Sequence, residues 1–413
     1  MNASPTPAFL HEPEVKQLLN IAAENNIELR FVGGCVRDYL MQKEVYDLDL
    51  ATPSLPQQII DIYEKYQIKT IPTGIKHGTV TVVINKRHFE ITTLRKDVEC
   101  DGRHAITEPT TNWTEDASRR DFTMNGLYMC ADGEIIDLVD GMQDAKLGRL
   151  RFIGDANTRI KEDYLRILRY FRFFATHAKQ PPLPHEIAAC AAAATNLNQI
   201  SPERICTEMQ KLLCAENPIP SLKLMINNQI WEVISDNAEY NLESLSNLIN
   251  REKNYNVPPN PWRRLVALTD FQAEKIATKW RTSKAIKQYL HNITSAKKIN
   301  NFSELRLLHN NLKENTLDAL LIHANEDNIK DLVKYLENYQ PKPLPITAHE
   351  LIQNGFQGKE ISAALQICNE IWLESDFSSS TDEMLKFATN TISNQQNLPK
   401  ISQLLQNLSI NWL

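Results

Sequence analysis

The sequence predicts an α+β protein, with strands and helices first and an all-helical remainder after them. Three observations carry that prediction. Stretches rich in β-branched residues with alternating polarity, such as KEVYDLDLA, TGIKHGTVTVVI and KRHFEITTL, are confined to the part before about residue 150. From Arg159 onward that pattern stops, and runs such as KEDYLRILRYFRFFATHA and PERICTEMQKLLC take over. The 413 residues are also too many for one core, so two to four domains are expected.

Glu12 to Asn26 reads as an amphipathic helix, and IELRFVGG as the first strand. A helix-forming run with Arg37 in its first turn leads to a second strand carrying Asp47 and Asp49. Ser54 to Tyr66 reads as a helix, with Thr52 or Ser54 as its N-cap and Pro56 near its first turn. Two more strands follow. The segment 95–109, RKDVECDGRHAITEP, is charged, holds Gly102 and ends at a proline, so it reads as a mobile surface loop. Thr114 or Asp116 could cap a short helix ending near RRD, before the strands GLYMC and EIIDLV and a polar turn with a short helix. Prolines at 181–184, 258–261 and 341–345 punctuate the helical part, the last two groups being candidate linkers.

Composition excludes several classes. Hydrophobic residues make up 42% and charged residues 23%, as in an ordinary soluble protein. Mean hydropathy is −0.39 and no apolar run approaches a membrane span. The start MNASPTPAFL lacks the features of a secretory signal, and the seven cysteines include no CxxC, so a reduced cytoplasm is expected, without a zinc site or a disulfide framework. The net charge of −6 is no signature of nucleic-acid binding, so any RNA contact must come from local basic patches.

The stretch FVGGCVRDYLMQKEVYDLDLA concentrates the chemistry. Residues two apart on a strand share a face, so Asp47 and Asp49 stand together, as suits a hard divalent ion such as Mg²⁺. A bare DxD is more often a solvated strand end; the preceding Gly33, Gly34 and Arg37 make it specific, because glycines admit a close ligand and a guanidinium holds phosphate. Glu90 is either an outward strand residue or a third carboxylate facing the pair. His77, between Gly74 and Gly78, reads as a local hydrogen-bonding residue. Arg119, Arg120, Asp121 and Asn125 form a dense polar cluster; Arg120 is either a solvated charge or a phosphate contact.

In EDYLRILRYFRF, Asp163 and Arg166 are three apart, hence on one helix face, and Arg169 and Arg172 continue the stripe. A solvated salt bridge is the plain reading. The chemical alternative is base selection: the carboxylate accepts from an exocyclic amine while the guanidinium donates to the adjacent ring nitrogen. Cytosine and adenine fit that pattern, whereas uracil and guanine present the reverse polarity and leave groups unpaired.

GGCVRD with DLD, then RRDFTMN, DGMQD and EDYLRILRYFRF resemble the successive motifs of the class II CCA-adding enzymes, tRNA nucleotidyltransferases of the polymerase β superfamily. The resemblance is tight over about 28–215, where SPERICTEMQKLL is similar to the family's neck helix, and looser beyond. It implies a nucleotidyltransferase head built on a small mixed sheet with helices behind it (1–150), followed by an all-helical base-selecting neck (151–215) and a body (216–345) and tail (346–413) that bind tRNA. It implies Mg²⁺ on Asp47 and Asp49, triphosphate or ribose contacts from Gly34, Arg37 and Arg120, base selection by Asp163 and Arg166, and support from Arg169 and Arg172. Asp101, Gly102 and Arg103 match the family's flexible loop, which helps the change from CTP to ATP. Gly126 stands where the family often has Ala, Leu94 where Phe is common, Leu138 where Pro is common, and the first motif lacks the usual Gly near Gln42 and Lys43. No HD dipeptide points to a phosphohydrolase domain. The expected activity is addition of CCA to the 3′ end of tRNA from CTP and ATP. Addition of A alone or CC alone, a poly(A) polymerase, and a tRNA-binding module with lost catalysis are the alternatives. The oligomeric state is left open.

Overall fold

β-Branched residues that alternate in burial build the sheet of the N-terminal part. In the computed structural model, which describes residues 6–100, 105–296 and 299–393, Phe89, Ile91 and Thr93 of one strand face inward while His88 and Glu90 face out. The strands are β1 (Arg30–Val32), β2 (Asp49–Thr52), β3 (Lys69–Gly74), β4 (Thr79–Ile84), β5 (Arg87–Thr93), β6 (Arg95–Cys100), β7 (Ala105–Pro109), β8 (Leu127–Met129) and β9 (Ile135–Asp137). Seven of them form one sheet in the order β3-β4-β5-β2-β1-β8-β9. Only β2 and β5 run parallel within it, so the sheet is mixed.

Helix α1 (Pro13–Glu24) follows the expected amphipathic run, and α2 (Gly34–Leu40) follows the glycine pair. The next helix, α3 (Pro56–Lys65), is capped by neither Thr52 nor Ser54. Its N-cap residue is Leu55, whose backbone N–H donates to Gln58 Oε1 at 2.8 Å, while Thr52 accepts from the Ser54 N–H. In α4 (Trp113–Ser118) the cap is Asn112, whose Oδ1 accepts from Thr114 N–H at 2.9 Å; Thr114 and Asp116 lie inside the helix.

Arg95–Cys100 and Ala105–Pro109, expected to lie in a loop, are strands. β6 and β7 pair as an antiparallel ribbon apart from the main sheet, from Arg95 opposite Pro109 to Cys100 opposite Ala105. Its charged composition hid the pairing, because the ladder is formed by the backbone. Asp101, Gly102 and Arg103 lie outside the described residues.

Helix α5 (Met142–Leu147) closes the sheet region. Four helices follow: α6 (Ala156–Glu162), α7 (Leu165–His177), α8 (Pro184–Ala192) and α9 (Pro202–Leu213). The run KEDYLRILRYFRF is therefore not one helix. Asp163, at φ −153° and ψ 107°, interrupts it. Phe122 and Phe152 form an antiparallel bridge, and their rings pack 5.0 Å apart. Tyr170 and Phe173 of α7 join them, with ring centroids at 5.4 Å (Tyr170 to Phe152) and 5.0 Å (Phe173 to Phe122). This buried aromatic core joins the sheet region to α7.

The chain divides into two compact units. The first comprises Met1–Ile249, Pro259–Pro261 and Lys275–Thr282, the second Asn250–Pro258, Trp262–Glu274 and Ser283–Leu413. The prolines at 258–261 lie where the chain passes between units, whereas those at 341–345 lie within the second. The described part of the second unit is almost wholly helical and has two kinds of core. One is apolar, built on Leu351, Phe356, Ala364, Cys368, Met384 and Ala388. The other is ionic: buried Glu252 accepts from Arg263 and Arg264, at 2.6 and 2.7 Å, and Arg263 also reaches Asp318, which takes the Tyr289 hydroxyl. Among the described residues no helix is long and apolar enough to cross a membrane.

Candidate active site

Strand pairing brings the acidic residues together. Leu48 and Leu50 are buried while Asp47 and Asp49 are exposed, so the two carboxylates share the open face. Asp47 precedes the strand rather than lying in it, since β2 begins at Asp49. Asp49 stands opposite Glu90 in the parallel β2–β5 ladder, so Glu90 joins the pair on that face. The Asp49 side chain reaches solvent, but crowding by the sheet partly desolvates it and pushes its carboxyl above the ordinary range. The charges of Glu90 and Asp47 push the same way, and Arg120 opposes them. Three acceptor-only groups that repel one another are a donor set suited to a hard cation, whose charge relieves the repulsion. A tighter acidic cluster lies elsewhere: ligand atoms of Cys130, Asp132 and Glu134 fall within 4.8 Å of one another. It is a tight turn, in which Asp132 Oδ1 accepts the Glu134 N–H, and it lies at the far β8–β9 end of the sheet from β5.

Arginines line the same region. Gly33 has φ +72°, a conformation that L side chains rarely adopt, and a Cβ there would lie 3.5 Å from Arg120 Nη1. Arg37 is buried. It grips Asp38 with Nε and Nη2 at 2.9 and 3.0 Å, and donates from Nη1 to Asn125 Oδ1 at 2.8 Å. Asn125 in turn donates to Asp121 Oδ1 at 3.0 Å, and Arg169 holds Asp121 Oδ2. Asp116 accepts from Arg119, Arg120, the Tyr128 hydroxyl and the Arg95 N–H. Burial alone would raise the Asp116 carboxyl, but the Arg120 and Arg119 charges hold it at about 2. Asp121 is likewise held at about 2, against burial, by Arg169 and the Asn125 amide.

Asp163 and Arg166 do not form a pair on one helix face. Asp163 sits in the break between α6 and α7, where Oδ1 accepts the Leu165 N–H at 3.1 Å and Oδ2 accepts Arg204 Nη2 at 2.7 Å. Arg166 is buried and donates to Glu162 at 2.6 Å and to the carbonyls of Arg159 and Arg119. Arg169 and Arg172 are both tied to Glu208 of α9, at 3.8 and 2.5 Å.

The Poly A polymerase head domain family matches residues 29–151, and a second family, described as a probable RNA and SrmB- binding site of polymerase A, matches 185–240. CCA tRNA nucleotidyltransferase 1, mitochondrial, from Mus musculus is 33% identical over 405 residues, 94% of this chain and 92% of that protein. The chain belongs to the CCA tRNA nucleotidyltransferase family. A CCA-adding enzyme of Lactococcus lactis subsp. cremoris is 32% identical over 76% of this chain and 79% of its own length. Among solved structures, the Bacillus stearothermophilus CCA-adding enzyme in complex with CTP superposes with a TM-score of 0.72 at 22% identity, covering 93% of this chain and 99% of that one. The Thermotoga maritima CCA-adding enzyme complexed with tRNA_CCA gives 0.66 at 18% identity, over 92% and 96%. These two likenesses show the fold.

Membership of the CCA tRNA nucleotidyltransferase family implies use of a divalent metal ion. The residues that the sequence left unassigned are the ones that hold others in place. Asp116 was read only as a cap, although its spacing of three and four from Arg119 and Arg120 could have shown the pairing. Arg204 and Glu208 lie four apart in PERICTE, one turn of α9, and nothing local says that Arg204 meets Asp163 or that Glu208 meets α7.

Proposed function

We propose that the chain adds C, C and A to the 3′ end of tRNA from CTP and ATP, releasing pyrophosphate without a nucleic-acid template. The observation that carries this reading is the Asp49–Glu90 register, which gathers Asp47, Asp49 and Glu90 on one face with Arg120 close enough to act on Asp49. The relatives named as CCA-adding support it.

Asp47 and Asp49 would hold Mg²⁺, with Glu90 beside them. When bound, in the two-ion form, that metal supplies an acidified 3′-hydroxyl and a clamp on the triphosphate. The protein's own part is positioning and charge. Gly34 lets the triphosphate approach the backbone, and Arg37 and Arg120, fixed by Asp38 and Asp116, neutralise it. Asp163 accepts the exocyclic amine of cytosine or adenine while Arg166 donates to the neighbouring ring nitrogen. Arg169 and Arg172, braced by Glu208, support the bound nucleotide. Head, neck, body and tail follow the divisions at about 150, 215 and 345, the helical part gripping tRNA by shape and phosphate contacts. The cytoplasm is the proposed compartment. The mouse relative is named mitochondrial, so localisation of the tagged chain decides between the two.

The test offers tRNA lacking its last three nucleotides with CTP, ATP or both, and sequences the products. CC with CTP alone and CCA with both are expected, with loss on chelation and recovery with Mg²⁺. The head family's name favours poly(A) synthesis as a second reading; long A tracts would establish it and overturn the first.

A further inference from the structure

Asp163 has no helix to orient it. Its backbone is extended, between the end of α6 and the start of α7, so its side-chain direction must come from partners. Two are present, from different elements: the Leu165 N–H on Oδ1 and the Arg204 guanidinium on Oδ2, at 2.7 Å. Each carboxylate oxygen offers two lone-pair directions, so this pinned carboxylate keeps acceptor capacity in a fixed direction. The α9 end of the contact is itself anchored, because Glu208, one turn beyond Arg204, binds Arg172 and reaches Arg169 of α7. Asp163 remains 22% exposed, enough for a nucleotide edge to reach it.

We infer that Arg204 is a positioning residue for base choice, acting through Asp163: it fixes the direction in which that carboxylate accepts an amine. The inference rests on the base-reading role proposed for Asp163. An unpinned carboxylate can turn, or admit a water. A water can donate to a carbonyl, so uracil and guanine would no longer be left unpaired at this position.

The experiment measures single-turnover incorporation of CTP and of UTP onto tRNA lacking its last three nucleotides, in the full chain and in Arg204→Gln, Arg204→Lys, Asp163→Ala and the double variant Asp163→Ala/Arg204→Gln. Arg204→Gln should raise the UTP-to-CTP efficiency ratio by about tenfold, the scale of one lost side-chain contact. Arg204→Lys, which keeps a cationic donor, should return part of the discrimination, and it tests the idea should Arg204→Gln fail to fold. The double variant should discriminate no worse than Asp163→Ala. Equal loss of CTP and UTP incorporation in both Arg204 variants, with an unchanged ratio, would overturn the inference. So would a double variant that is less selective than Asp163→Ala. If Asp163→Ala itself leaves the ratio unchanged, the base-reading assignment fails. If Asp163→Ala relaxes the ratio and the Arg204 variants do not, only the role of Arg204 fails.

Discussion

Asp49 sits where folding disfavours its charge. Desolvation by the sheet, then Glu90 and Asp47, raise its carboxyl above the unfolded value near 3.8. Between those two values the folded state binds more protons than the unfolded chain, so stability falls as pH rises through the interval and the penalty is complete above it. Asp49→Asn should therefore raise the melting temperature of the metal-free protein at pH 7. The gain should vanish as pH drops back through the same interval, where the native carboxyl becomes neutral too. On the metal-holding role proposed for Asp49, nucleotide incorporation should fall by about a thousandfold while tRNA binding is kept. A calorimetric melt against pH, with a gel-shift titration, checks both halves. This residue was legible in advance because strand alternation is strict: Leu48 and Leu50 go in, so Asp47 and Asp49 go out. Asp163 was placed less well. Helical spacing put it beside Arg166, but the helix breaks there, and its partner came from 41 positions further along.

At the scale of elements, one buried carboxylate ties α4 to the sheet, beside the apolar contacts of Ala117 and Trp113. Asp116 is 1% exposed and joins Arg119, Arg120, Tyr128 and the root of the β6–β7 ribbon. Its carboxyl is depressed to about 2, so the stability it gives is fully present above the unfolded value of 3.8 and is lost as pH falls through about 2. Asp116→Asn should remove roughly 2 kcal/mol at neutral pH and flatten the acid limb of a stability–pH curve, read by urea unfolding at several pH values. Gly126 gives a second element-scale expectation. A Cβ there would meet Val139 Cγ2 at 2.8 Å and Ile153 Cδ1 at 3.2 Å, so these two side chains already fill the space that an alanine methyl would need. Gly126→Ala should cost about 1–3 kcal/mol by overpacking, and Gly126→Ala/Val139→Ala should recover most of it in the same unfolding assay. Strands with a buried face were readable, since alternation marks them. The β6–β7 ribbon was not: its strands, RKDVEC and AITEP, show no clean alternation of apolar and polar residues.

Over the whole molecule, the change from strands to helices near residue 150 was plain in the periodicity, whereas the ionic core of the second unit was not. Arginines read as surface residues until their partners are seen, and Arg263, Arg264 and Glu252 lie almost wholly inside. Glu252→Ala removes an acceptor that both guanidiniums share and should destabilise the second unit by about 3–5 kcal/mol, measured by chemical denaturation. The aromatic knot of Phe122, Phe152, Tyr170 and Phe173 has a different consequence. Its rings are dry and interlocked, and they belong both to the segment bearing Arg120 and to the helix bearing Arg166. On the base-reading role proposed for Arg166, its helix is bolted in this way to the segment bearing Arg120, and the two cannot be re-aimed by rocking one against the other. The same proposal then leaves any change of preference to side-chain adjustments inside that frame, or to the incoming nucleotide itself.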